Sequence, residues 1–122
     1  MSTESMNTNI PMMFMLDPIV ECSLRDANDC MMHGDYDTAL KLYDQVIEKQ
    51  PYNSRALMNK GNVLDLMGNH SEAIRCFDNA LACDPYNAEA WYNKGVTLKK
   101  IGSLEEGTLH IKKGLSLSTG EI

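Results

Sequence analysis

The side chains in this sequence with the most chemistry to offer are four thiols and three imidazoles: Cys22, Cys30, Cys76 and Cys83, and His33, His70 and His110. A zinc-binding turn needs two thiolates two residues apart, so that one loop can present both to the metal. The cysteines stand eight, forty-six and seven residues apart (30 − 22, 76 − 30, 83 − 76). Each falls on a stretch with helical periodicity, where a thiol serves as a small apolar side chain. Reduced cysteines of that kind fit the cytoplasm. His33 and His70 fall near turns and His110 in mid-helix, so the three share no face that could hold a metal. No glycine-rich phosphate loop, HExxH pair or nucleophile elbow occurs. The carboxylates of Asp35 and Asp37, and of Glu105 and Glu106, sit where helices start, and the helix dipole favours them there. The expectation is a protein without catalytic residues, metal or cofactor, and not an enzyme.

Bulk properties narrow the class further. The chain of 122 residues, 43% hydrophobic and 23% charged, has the size and balance of one small globular domain. Eleven basic against seventeen acidic residues leave a net charge of −6, which repels phosphate backbones and argues against a nucleic-acid partner. No apolar run approaches the roughly 18 residues that cross a membrane. The apolar stretch 10–16, "IPMMFML", is short and follows only Glu4 among charges, so it is no signal peptide. Residues 1–17 are expected to be an N-terminal leader, partly disordered, whose apolar stretch folds back on the domain or meets a partner. Asp17 followed by Pro18 predicts an N-cap and a first helix from about Pro18.

The elements that position these groups are written in a repeat. Gly34, Gly68 and Gly102 are 34 residues apart, and so are Tyr43, Phe77 and Ile111. Pro51-Tyr52-Asn53 returns as Pro85-Tyr86-Asn87, and Asn59-Lys60-Gly61 returns as Asn93-Lys94-Gly95. The register divides residues 18–122 into units 20–53, 54–87 and 88–121. Each unit reads as two helices. In the middle one, Asn53 or Ser54 caps the first helix, whose stripe runs through Ala56, Leu57, Gly61, Leu64 and Met67. Gly68 stops it with a positive φ. Ser71 marks the cap region of the second helix, with Ala73, Ile74, Phe77, Ala80 and Leu81 as its stripe. Asp84-Pro85 ends the unit. Gly107 and Gly114 stand where the middle unit has alanines, and helix-interior glycine predicts fraying of the last helix.

The period of 34, the Trp91…Lys94-Gly95 motif, the triplet Ala73…Phe77…Ala80 and the closing Pro85 resemble the tetratricopeptide repeat family. The resemblance implies an all-α, right-handed α-solenoid of three helix-turn-helix units with six main helices. It also implies a protein–protein interaction role, as scaffold or adaptor, with a concave groove lined by the first helix of each unit. Carried over by register, the groove residues are Leu24, Asn28, Met31, Arg55, Met58, Asn62, Tyr92, Val96 and Lys99. The implied partner is a protein or peptide of unknown identity. Some members of the family clamp chaperone C-terminal carboxylates with two lysines, an arginine and two asparagines. The asparagine places hold Asn28 and Asn59, but the lysine places hold Leu24 and Glu89 and the arginine place holds Asn93. Without those cations a carboxylate is poorly held, so that clamp is not expected. The alternative is a self-assembling module, a homodimer formed through the uncapped last helix, with its Leu104, Leu109 and Leu115, or through the leader.

Overall fold

The computed structural model describes residues 17–120, so the expectations for the leader fall outside it. Among the described residues there are six helices and no strand: α1 (Pro18–Met32), α2 (Tyr36–Lys49), α3 (Ser54–Leu66), α4 (His70–Cys83), α5 (Ala88–Lys100) and α6 (Leu104–Thr119). They stack as three antiparallel hairpins in an all-α solenoid.

Local sequence explains each start and stop. Asp17 accepts the backbone N–H groups of Ile19 (2.9 Å) and Val20, with Pro18 in the first turn. Asn53 and Asn87 do the same for Ala56 (2.9 Å) and Ala90 (3.1 Å), satisfying donors that the helix leaves free. Within each hairpin the first helix ends on a left-handed glycine: Gly34 at φ 82°, Gly68 at 88°, Gly102 at 95°. The following amide then reaches back to the helix, as Asp35 N–H to Cys30 O (2.8 Å), Asn69 to Leu64 (2.8 Å) and Ser103 to Leu98 (2.9 Å). The second helix of the middle unit begins at His70, with Asn69 rather than Ser71 at the N-cap. The left-handed glycine turns the chain so tightly that helical geometry resumes two residues later.

The core is built unit against unit. Val20, Leu24, Ala27, Ala39, Tyr43 and Val46 from the first hairpin pack with Ala56 and Val63 of α3. Leu57, Met58, Leu64, Ala73, Phe77 and Ala80 pack with Ala90 of α5. Tyr43 and Phe77, 34 residues apart, are fully buried, each burial worth roughly 2–3 kcal/mol. Two ion pairs repeat at the same interval across the unit boundaries: Lys60 Nζ to Asp44 (2.8 Å) and Lys94 Nζ to Asp78 (2.7 Å).

Two expectations change. The last helix, α6, is 16 residues long and continuous despite its two interior glycines. Its glycines are contact points, since a Cβ on Gly107 would lie 2.6 Å from Gly95 O and one on Gly114 would lie 2.7 Å from Ala88 O. Close packing against α5 offsets the entropy that glycine costs. Cys22, read as an apolar core thiol, is exposed, although Ala56 and Ala90 at the equivalent places are fully buried. Those alanines lie against a preceding hairpin, and α1 has none among the described residues.

Candidate functional site

The first helices α1, α3 and α5 lie side by side with the second helices behind them, and their shared face carries the residues singled out by register. A line of amides runs along it. Asn93 Nδ2 donates to Asn62 Oδ1 (3.0 Å), Asn62 Nδ2 to Asn59 Oδ1 (3.4 Å), and Asn59 Nδ2 to Asn28 Oδ1 (3.3 Å). Asn28 also accepts from the Tyr43 hydroxyl. Burial pushes the Tyr43 phenol up to about 12, with the Cys30 thiol adding to the effect. The chain of amides joins all three first helices, and with every link paired it holds them in register.

A second centre lies beside it. Asp65 of α3 accepts from His70 Nδ1 (2.7 Å), Thr97 Oγ1 (3.1 Å) and Lys100 Nζ (2.6 Å). Burial raises its pKa, but the hydrogen bonds from Lys100, His70 and Thr97 outweigh that and hold it below the usual carboxylate range. Asp65 thus ties α3 to its own hairpin and to α5. At the other end of the face, one guanidinium nitrogen of Arg55 reaches both carboxylate oxygens of Glu21 (2.8 and 2.9 Å).

The nine register-derived residues divide accordingly. Leu24 and Met58, at 3% and 4% exposure, are core side chains and offer no surface. Tyr92 occupies the same place in the third unit yet is 43% exposed. Leu24 and Met58 are covered by the hairpin that follows each, clustering with Ala56 and Ala90 respectively, whereas no hairpin follows the third unit among the described residues. Tyr92 instead borders an open recess of about 320 Å³ with Glu89, Asn93, Leu115 and Ser118. Asn28 and Asn62 belong to the amide line, and Arg55 is engaged by Glu21. Met31 is half-buried against the first core and Val96 is half-buried, whereas Lys99 is exposed. Register did not single out Asn59 and Asn93 as organising groups of this face, although the twofold Asn-Lys-Gly phrase had marked both.

Among the described residues no group of three or more His, Cys, Asp or Glu is placed to hold a metal ion. Nor is any described helix long and apolar enough to cross a membrane.

Tetratricopeptide repeat family models match residues 31–92 and 88–119. Among solved structures, the Sgt2 TPR domain from Aspergillus fumigatus superposes with a TM-score of 0.80 at 22% identity, covering 84% of this chain and 68% of that one. A crystal structure of MamA gives 0.75 at 20%, covering 84% of this chain and 60% of that one. The first TPR of Spaghetti (RPAP3), bound to the HSP90 peptide SRMEEVD, gives 0.76 at 20%, covering 80% and 78%. This chain spans 60% of the MamA chain it resembles, less than two thirds of it. Comparison with curated proteins gives no match.

Proposed function

The chain belongs to the tetratricopeptide repeat family, a family of protein-interaction modules, and from that premise we propose that it is a non-catalytic adaptor whose α1/α3/α5 face forms a groove for a partner's peptide or helix. The amide line from Asn93 to Asn28 carries this reading. It fixes the first helices against one another, so the face is organised before a ligand arrives, which lowers the cost of binding. Tyr92 with its recess offers an apolar anchor, and Lys99, beside the half-buried Val96, a cation without an ion-pair partner among the described residues. A segment with one apolar side chain and a neighbouring acidic group suits that surface. The four free thiols support a reducing compartment such as the cytoplasm, and the charge of −6 weighs against nucleic acid as partner.

The ligand is not the carboxylate terminus held by the chaperone-binding members. Leu24 and Glu89 stand at the lysine places, Leu24 is buried, and Asn93 at the arginine place is engaged with Asn62. A labelled SRMEEVD peptide should give no saturable binding; tight, saturable binding would contradict this part. Partners retained from a lysate by the wild type should be lost with Tyr92→Ala/Lys99→Glu. Identical sets on both proteins would overturn the groove.

A second reading, self-assembly, is favoured by one observation: Leu104, Leu109 and Leu115 of α6 are 59%, 66% and 51% exposed. Leu104 and Leu109 border one recess and Leu115 another, and exposed large apolar side chains of this kind gain from being covered.

A further inference from the structure

We propose that copies of this chain associate head to tail, the outer face of α6 in one copy packing on α1 of the next in the register that joins neighbouring units within the chain. The proposal rests on the self-assembly reading and gives it a partner, a geometry and a polarity.

The internal boundaries supply the template. At each one, an aspartate on a second helix meets a lysine on the following first helix: Asp44 with Lys60 (2.8 Å), then Asp78 with Lys94 (2.7 Å). Advancing both places by one period, the next second helix presents Lys112 (78 + 34). The first helix that would receive it is α1 of another copy, where the lysine place holds Asp26 (60 − 34). Both signs are reversed together, so the pair stays complementary while differing from the two internal pairs. Asp26 and Lys112 are exposed, and neither has an ion-pair partner among the described residues.

A second boundary contact behaves the same way. Thr97 of α5 donates to Asp65 of α3 (3.1 Å). One period on, the place of Asp65 is held by Lys99, and two periods back from Thr97 stands Asp29. In the head-to-tail register Lys99 would therefore meet Asp29 of the next copy. Both are exposed and without an ion-pair partner among the described residues.

The apolar surfaces follow the same register. Leu40 and Ile47 of α2 pack on the core of the next unit; their counterparts on α6 are Thr108 and Leu115. Beside them, Leu104, Glu105, Thr108 and Leu109 line an open recess of about 410 Å³. On α1 the exposed Cys22 stands where Ala56 and Ala90 are fully buried by a preceding unit. The register also opposes Glu21 to Glu89, because Arg55 meets Glu21 at the corresponding internal boundary. That contact lies on a solvent-accessible rim, where screening keeps the repulsion small.

A contact between two different faces leaves one of each free on a dimer, so the assembly grows past the dimer, as an open chain or a closed ring. Sedimentation over a concentration series at low salt should give a mass that rises past the dimer. Lys112→Asp alone and Asp26→Lys alone each place like charges at the contact and should weaken assembly by about tenfold or more. An equimolar mixture of the two variants restores an opposite-charge pair at every contact and should recover assembly. Circular dichroism and melting of each variant should match the wild type. An unchanging monomer at every concentration overturns both this proposal and the self-assembly reading. A dimer that ignores Asp26→Lys overturns the head-to-tail register and leaves self-assembly through α6 alone.

Discussion

Gly95 of α5 and Gly107 of α6 face each other with no side chain between them: a Cβ on either would lie 2.6 Å from the other's carbonyl oxygen. In the middle unit the corresponding pair is Gly61 and Ala73, and the bulk beside Gly61 is the ring of Phe77. The third hairpin is thus drawn together more closely than its neighbour, backbone against backbone.

That contact reverses a familiar sign. Glycine to alanine within an exposed helix stabilises by roughly 0.5–1 kcal/mol. Gly107→Ala should instead destabilise by about 1–3 kcal/mol, since backbone atoms must move to admit the methyl group. Thermal or urea unfolding measures this, and a stabilised variant would contradict the close approach.

Asp65 gives the fold an acid limb. Its pKa is lowered from the ordinary 3.8 on folding. Its stabilising contribution is therefore complete above that value and is lost as pH falls below it, through the folded-state pKa. Asp65→Asn should cost roughly 1–3 kcal/mol at neutral pH by weakening three hydrogen bonds. It should also flatten the loss of stability below pH 4. Unfolding of both proteins across the acid range tests this, and parallel pH profiles would contradict it.

Tyr43 gives the opposite limb. Its phenol is raised from 10.0 to about 12, so the stability it supplies is present below 10.0 and lost as pH rises toward 12. Tyrosinate absorbance should contain one late step, abolished by Tyr43→Phe. That variant should also lose about 1 kcal/mol, since Asn28 keeps only Asn59 as donor to its oxygen.

The amide line should behave as one unit. Asn59→Ala removes the link between Asn28 and Asn62 within a 9% exposed position and should cost about 1–3 kcal/mol. Amide exchange should quicken in α1 and α5 as well as in α3. Quickening confined to α3 would mean that the asparagines are independent.

Much of this was legible because a repeat constrains each position several times. The Asn-Lys-Gly phrase that occurs twice has three separate causes. Asn59 and Asn93 donate across to the preceding first helix, Lys60 and Lys94 pair with Asp44 and Asp78, and Gly61 and Gly95 admit the second helix. Turn glycines and capping asparagines were equally plain, since each has a backbone requirement that few residues meet. Direction was less legible. Leu24, Met58 and Tyr92 share one place in the register, but a side chain there is buried only where a following hairpin covers it, and Tyr92 has none among the described residues. The glycines of α6 were misleading for a related reason: propensity scores a residue within its own helix, and their value lies in the neighbouring one.

The proposed function stands or falls on whether the α1/α3/α5 face receives another polypeptide. Photo-crosslinking in lysate from a probe at Tyr92, beside one at the exposed Lys41 on α2, tests it most directly. Discrete polypeptide adducts are expected from position 92, suppressed by excess unlabelled protein, and none from position 41. Adducts from position 41 with none from position 92 would contradict it.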